Sequence, residues 1–529
     1  MPIGDNDQAL NTAFDDAAGP FGSPEGAWGD LKQLVEIPSR FHGVGRSPED
    51  SSIRIVAGAL GSGKSLLIRR MQAHQSQRRG PEVFAPAVQR SSDLRTEDVV
   101  SFTKKIGAPV SNSEMWKLLW RRGIMRSLAS FIRMDLNEYV PMELQGLFVK
   151  YESLLGSVDR TERLVVHEVK QIIGASSTGN AYRKYLDDDR WADVENYLAR
   201  VLDVSPPVFL YLDEIDKEFK SAPSVWTLCQ KGLMHTILDL QREDHFQGRL
   251  HVVAAVRDTT MASVAASEHA QRLLDPTYVN LMSWDREASK YFLEQKVSRL
   301  PDAYFLDSNQ RTVESFVGLS EITPAREGAQ PESVADYLVR HTSMVPRDII
   351  RMGNRICDQL SRLGRESLTE DSLRKIVSSQ AAGFAFKLLS VTANQVVSDV
   401  MPADWWKRGA KNEPYALNWS RDQVLRCIES TASEVVGYED LEAMDSLATD
   451  LFGVYDSGKH VHLADVLWQN RLLCAVYDDG HIQYFAPSDS SVSVSLPVVG
   501  GVTSYVWNPI LFDVTTRLTL QLKQSHWPT

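Results

Sequence analysis

A chain of 529 residues is too long for one ordinary core, so length points to two or three domains, one of them large enough for a complete α/β sheet. Hydrophobic residues at 43% and charged residues at 24% exclude a disordered or fibrous chain. The formal net charge of −12 argues against broad nonspecific attraction to phosphate backbones and leaves room only for a local basic stripe. No stretch approaches the roughly 18 consecutive apolar residues of a spanning helix, and Met1-Pro2-Ile3-Gly4-Asp5 lacks the basic and apolar regions of a signal peptide. A cytoplasmic chain with no membrane partner is the expectation. Cys229, Cys357, Cys427 and Cys474 lie far apart without a C-x-x-C pair, which excludes a disulfide framework or a cysteine zinc site and predicts buried thiols.

Residues 1 to about 28, rich in Asp, Ala, Gly and Pro without periodicity, read as a flexible or loosely packed arm. Short β-type runs then alternate with helical stretches: Ile53 to Ala57, Val83 to Val88, Val208 to Leu212, His251 to Val256 and Tyr278 to Leu281. Five strands alternating with helices predict a mainly parallel five-stranded α/β core, residues 29–284, covered on both faces. Between the second and third strands, residues 113–201 carry apolar residues at helical spacing (Met115, Leu118, Leu119, Ile124, Leu128, Ile132) and read as a helical insertion. A helical lid is expected over 285–391. From about residue 392, helical patches precede a hairpin pattern, Leu472 to Tyr477 and His481 to Phe485 around Asp478-Asp479-Gly480, with a further β-like run at Tyr505-Val506-Trp507. Residues 392–529 thus read as a winged-helix-like α+β domain.

The run Gly58-Ala59-Leu60-Gly61-Ser62-Gly63-Lys64-Ser65 satisfies G-x-x-x-x-G-K-[ST], with a strand before it and Leu66-Leu67-Ile68-Arg69-Arg70-Met71 after it. Its glycines let the backbone curl so that N–H groups at a helix N-terminus face phosphates. Gly58, Gly61, Ser62, Gly63, Lys64, Ser65 and Leu66 form the expected ATP-binding set. Lys64 supplies positive charge at the β- and γ-phosphates, and Ser65 offers a hydroxyl to Mg²⁺. Downstream, Val208 to Leu212 ends in Asp213-Glu214 at the sheet edge where ligands of open α/β sheets bind. There Asp213 would hold Mg²⁺, through water, and Glu214 would orient the attacking water.

Phosphoryl transfer also calls for positive groups converging on the γ-phosphate. Arg257 ends the next strand and either senses nucleotide or forms an ordinary surface pair with Asp258. Arg347, in Val345-Pro346-Arg347-Asp348, starts a helix in the lid and either reaches the phosphates or makes a helix-start salt bridge. Arg272, between the fourth and fifth strands, is the third catalytic candidate, against the reading of a solvated helix arginine.

The phosphate loop, Leu212-Asp213-Glu214-Ile215-Asp216, the strand ending at Arg257 and the Pro346-Arg347-Asp348 helix start together resemble the AAA+ and STAND groups of ATPases. The nearest branches are the origin-initiator one and bacterial ATPases associated with phage defence. The resemblance covers roughly Val35 to Val377 and is specific at the two nucleotide motifs. It implies a five-stranded core with a helical lid, nucleotide-dependent conformational change and a tendency to oligomerise. In ring-forming members the place of Arg272 presents an arginine to a neighbour's nucleotide. The sequence departs from a compact AAA+ module in the roughly 148 residues that separate Ser65 from Asp213, and in the Arg-Asp at 257–258 where many relatives carry Asn.

Trp116 and Trp120, at helical spacing, read as core rather than a base-stacking platform. The pairs Arg69-Arg70, Arg78-Arg79 and Arg121-Arg122 read as solvated faces. His460-Val461-His462 lacks a Cys or acidic third ligand at suitable spacing, so no metal other than nucleotide-bound magnesium is expected. The sequence thus predicts an ATP-driven switch or assembly factor for a partner protein or for copies of itself, with phage defence as its setting. The alternative is an initiator or loader whose C-terminal winged helix contacts DNA.

Overall fold

Ile55–Gly58 forms β1, Lys64–Arg79 forms α1 and Val83–Phe84 forms a short β2. The helices α2 (Ser113–Asp135), α3 (Met142–Lys150) and α4 (Arg190–Val204) stand between β2 and β3 (Val208–Leu212). There follow α5 (Pro223–Arg242), β4 (Leu250–Arg257), α6 (Asp258–Ala265) and β5 (Val279–Met282). The structure, a computed structural model, describes residues 19–24, 51–79, 83–84, 102, 112–155, 168–169, 172, 188–213, 223–265, 275–324, 330–400, 413–431, 435–453, 460–485, 495–498 and 500–512. Four strands in the order β3-β4-β1-β5 carry the central sheet, with β2 beside β3 at the edge, and every neighbouring pair is parallel.

Alternation along β3 shows how the sheet is covered. Val208, Leu210 and Leu212 join the cluster that holds Trp116, Leu119 and Leu233 of α2 and α5. Phe209 and Tyr211 face Leu67, Ile68 and Met71 of α1. A parallel sheet with both faces buried needs apolar residues at every strand position, which is why these strands read as unbroken runs. Trp116 and Trp120 are each 1% exposed, and Trp120 Nε1 donates to the Cys229 carbonyl at 2.8 Å, so both belong to the core. The solvated face expected at Arg121-Arg122 is corrected: Arg121 pairs with Glu195 and Glu243 at 2.6 Å each, and Arg122 is buried with its guanidinium over Trp191.

After the sheet come α7 (Arg286–Ser298), α8 (Val313–Val317), α9 (Val334–Arg340), α10 (Pro346–Leu363) and α11 (Glu370–Val400). Asp285 and Thr312 cap α7 and α8 by accepting the N–H groups of Ala288 and Ser315, and Pro346 opens α10 where its missing N–H has no cost. The arm expected over residues 1 to about 28 is not loose at 19–24. Phe21 is 1% exposed within the cluster formed by these helices, and Phe21 N–H and the Gly22 carbonyl bond the side-chain amide of Asn354 at 2.8 and 2.9 Å.

The division placed at 391/392 falls inside α11, which is continuous. Its Leu373, Val377 and Phe384 serve the preceding cluster, whereas Ala381, Ala385, Leu389 and Val396 serve the next. Over Glu370–Val397 this helix is long and apolar enough by composition to cross a membrane, which a search for unbroken apolar runs misses. It carries Arg374, Lys375 and Lys387 and packs along α5, α10 and α12 (Glu413–Ser430), as a core helix does.

The last unit continues with β6 (Val435–Val436), α13 (Tyr438–Phe452), α14 (Leu463–Gln469), β7 (Leu473–Tyr477), β8 (Ile482–Gln483) and β9 (Val502–Trp507). These strands form an antiparallel sheet in the order β8-β7-β9-β6. Gly480, at φ +79, turns the chain between β7 and β8. All four cysteines are buried free thiols.

Candidate active site

The site begins where β1 stops. Gly58 leaves little room for a side chain, because a Cβ there would lie 2.7 Å from Ser62 Oγ and 3.0 Å from the Met282 carbonyl oxygen and would push on both. Gly61 and Gly63 then take φ of +89 and +99, a region costly to any residue with a Cβ. At Gly61 a Cβ would also lie 2.8 Å from Arg347 Cβ. These constraints coil the loop so that α1 starts at Lys64, with Leu67 N–H already bonded to the Gly63 carbonyl at 3.0 Å.

Lys64 Nζ bends back onto its own loop, donating to the carbonyls of Gly58 at 2.6 Å and Ala59 at 2.8 Å. Ser65 Oγ donates to Asp213 Oδ1 at 3.1 Å across 148 residues of sequence. The phosphate loop and the carboxylate closing β3 therefore share one site. Ser62 is fully buried, and its Oγ makes no hydrogen bond among the described residues. Leu66 is half-buried on the first turn of α1.

Parallel pairing sets Arg257 directly beside Gly58, so β4 delivers it to the same sheet edge. Its backbone N–H is held by Gln230 Oε1 at 3.1 Å. The ordinary surface pair weighed for Arg257 and Asp258 is not what Asp258 makes: it is 7% exposed and faces Arg471 Nη2 at 3.6 Å. Arg347 also lies at the loop. Its backbone N–H donates to the Gly61 carbonyl at 3.2 Å, while its Nε donates to the Pro24 carbonyl at 3.0 Å, so the segment around Phe21 also bears on this residue. Next to it, burial pushes the Asp348 carboxyl up to about 6, against the Ser343 hydrogen bonds and the charges of Arg351 and Arg347. Glu214 and Arg272 lie outside the described residues.

A narrow cleft, open to solvent, runs from Ala59 and Leu60 past Arg257 and Asp258 to Ser343 and Val345. Its far wall is Leu388 and Val391 of α11 with Asn470, Arg471 and Asn508 of the last unit. Arg471 adopts φ +58, a strained conformation for a residue with a side chain, and is fastened by Trp468, Asn508 and Phe485. Trp284 is a further contact that the sequence reading passed over. Its Nε1 donates to the Ser62 carbonyl at 2.9 Å while its ring meets Phe292 edge-on, tying the loop to α7. An indole two residues beyond β5, just ahead of the Asp285 helix cap, was the available signal. Nothing local to Gln469-Asn470-Arg471 marked Arg471.

No protein-family model matches the chain, and no curated protein matches it. Among solved structures it is similar to the ORC2 protein of Aeropyrum pernix, solved as ADPNP–ADP complexes, at 11% identity, covering 94% of each chain with a TM-score of 0.27. At that distance the functional argument is carried by the geometry of the site.

Proposed function

We propose that this protein binds and hydrolyses ATP as an AAA+-type P-loop ATPase, and that turnover drives a conformational switch. The observation that carries this reading is the bond from Ser65 to Asp213, which joins the phosphate loop to a carboxylate at the end of β3. Both halves of a nucleotide site thereby meet at one sheet edge.

The residues fit triphosphate and magnesium. The loop curls through Gly61 and Gly63 at positive φ into the N-terminus of α1, where anions are favoured, and the Ser65 hydroxyl with the Asp213 carboxylate is the oxygen donor set that Mg²⁺ takes. When bound, Mg²⁺ would neutralise charge on the β- and γ-oxygens. Lys64, now on the carbonyls of Gly58 and Ala59, would exchange them for phosphate oxygens, a stronger charge-assisted bond. Arg257, beside Gly58, is suited to charge developing on the γ-phosphate, and Glu214 follows Asp213 as the group to polarise water. Arg272 keeps its proposed role toward a neighbouring copy.

Switching follows from what touches the loop. Arg347 binds its Gly61 carbonyl from the helical lid, Trp284 binds its Ser62 carbonyl from the segment that leads into the lid, and Arg471 reaches the adjoining Asp258 from the last unit. A loop rearranged by phosphate would shift all three contacts together. Division into core, insertion, lid and winged-helix-like C-terminal domain accords with this reading, whereas the STAND grouping and the phage-defence setting rest on the motifs alone. The effector would be a separate protein or further copies of this chain.

Phosphate release by the native chain, by Lys64→Ala and by Glu214→Gln tests the proposal. Turnover in the native chain that both substitutions abolish supports it. Equal and negligible release from all three would instead mark a binding scaffold. Mass in solution with and without ATP and magnesium then separates self-assembly from a partner-bound switch.

The initiator reading has one observation in its favour: α12-β6-α13-α14-β7-β8-β9 follows the winged-helix element order. Charge opposes it. Helix α14, in the position of a recognition helix, reads Leu-Ala-Asp-Val-Leu-Trp-Gln without a basic residue, and the turn in the position of a wing contains Asp478 and Asp479. A surface built to neutralise phosphates would carry Lys or Arg there. Salt-sensitive retention of duplex DNA by the full chain, lost at high salt, would restore the initiator reading.

A further inference from the structure

The fold supplies His460-Val461-His462 with the acidic third donor that the sequence lacked. Asp445 lies in the middle of α13, and the two histidines lie in the segment leading into α14. One candidate donor atom from each of Asp445, His460 and His462 lies within 4.8 Å of the others. Val461 is 2% exposed while both histidines are exposed, and the two imidazoles lie edge-on with their centroids 4.5 Å apart.

Hydrogen bonding settles how these groups are presented. Thr449 has one hydroxyl proton, and it goes to the Asp445 backbone carbonyl at 2.8 Å. Val461 N–H donates to the same hydroxyl oxygen at 3.1 Å. The remaining contact of that oxygen, 3.0 Å from His460 Nδ1, is therefore a bond that the imidazole donates. His460 carries its proton on Nδ1 and offers the Nε2 lone pair, the tautomer in which a histidine ligates metal while its other nitrogen is held by the protein. Asp445 is fixed in the same way, its Oδ1 accepting from Ala464 N–H at 2.8 Å, which leaves Oδ2 to ligate.

We propose that Asp445, His460 and His462 bind a divalent transition cation of the zinc class. Two imidazoles and one carboxylate suit Zn²⁺ or Co²⁺ and are poor donors for Mg²⁺ or Ca²⁺, which take oxygen ligands. Three protein ligands leave a coordination position open to water, as in catalytic rather than closed structural sites. Bound there, the cation fastens the segment ahead of α14 to α13, and α14 is the helix that leads into Arg471 at the nucleotide cleft.

The test uses the full chain, stripped with chelator and titrated with Zn²⁺ by calorimetry and with Co²⁺ by visible absorption, in the absence of nucleotide. The expected result is one equivalent bound with Co²⁺ ligand-field bands of a low-coordinate site, and a rise in Tm on adding Zn²⁺. His460→Ala and His462→Ala, both at exposed positions, should each abolish the bands and the rise in Tm while leaving the metal-free Tm unchanged. Lys64→Ala should bind as the native chain does, which keeps this site separate from the proposed nucleotide site. Thr449→Val, which removes the hydroxyl that holds His460 Nδ1 together with its bonds to the Asp445 carbonyl and Val461 N–H, should weaken binding about 10–100-fold. Absence of binding by the native chain, or binding undiminished in both histidine variants, overturns the assignment.

Discussion

The phosphate loop and the C-terminal unit are built on opposite terms. Between Gly58 and Ser65 the proposed chemistry lies in contiguous residues, because a coiled backbone can cradle an anion with its own N–H groups and needs only glycines where φ is positive. In the C-terminal unit the groups with chemical potential are brought together from afar: Asp445 with His460 and His462, and Arg471 with Asp258 across 213 residues. The contrast teaches that a motif announces a site only when one stretch of backbone builds it. Where the site is assembled from several elements, the fold announces it instead.

The contrast would weaken if the loop depended on distant chain as much as the C-terminal unit does, and Phe21 is the place to look. Its ring fills the space beside Gly353 of α10, the helix whose first turn bonds the Gly61 carbonyl. Phe21→Ala is expected to lower unfolding free energy by about 3–5 kcal/mol, the usual result of emptying a buried aromatic site. Chemical denaturation reads this directly. A loss below ~1 kcal/mol would mean that the segment adds little to the lid.

Lys64→Ala addresses the loop alone. Loss of one charge-stabilising donor at the reacting phosphate is expected to lower the hydrolysis rate about 10²–10³-fold, with Tm measured alongside to separate chemistry from folding. Rates within about tenfold of native would remove the loop from the chemistry.

Asp348 sharpens the comparison through pH. Its folded carboxyl, at about 6, lies above the ordinary 3.8, so in that window the folded chain holds a proton which the unfolded chain has released. Stability from this group is therefore complete below the lower value and is lost as pH rises through the upper one, a change of about 2–3 kcal/mol at roughly 1.4 kcal/mol per pH unit. Asp348→Asn should flatten that part of the stability-against-pH curve and raise stability above pH 6. An unchanged curve would show that the carboxyl is not held neutral beside Arg347.

Legibility followed the range of the interactions. Val208–Leu212 is the strand as read from its apolar run, and the strands around Ile55, Val252 and Val279 differ from their readings only at the ends, because burial on both faces selects unbroken apolar residues. Ser65 and Asp213, read from two separate motifs, lie within a hydrogen bond of each other although 148 residues separate them. The two-residue β6 had no pattern to read, and Phe21 sat in a stretch whose composition suggested a flexible or loosely packed arm. Trp284, Arg471 and the Asp445 partner of the histidines each owe their role to residues elsewhere in the chain, which periodicity cannot register. The arginine pair at 121–122 misled for the same reason: its partners, Glu195, Glu243 and Trp191, come from α4 and the end of α5.

The smallest expected effect tests whether the two regions communicate. Arg471 holds Asp258 at 3.6 Å with both side chains largely covered, while its own backbone sits at φ +58. Arg471→Gly removes the ion pair and relieves the backbone, whereas Arg471→Ala removes the ion pair and keeps the strain. The glycine variant should therefore be the more stable of the two by about 1 kcal/mol. If the ion pair transmits the state of the C-terminal unit to the cleft, both variants should change ATP affinity by the same factor, about two- to fivefold, the range expected of a pair worth up to ~1 kcal/mol. Equal shifts from two substitutions with opposite backbone consequences would assign the coupling to the guanidinium. Native affinity in both would leave the C-terminal unit as a neighbour of the cleft with no influence on it.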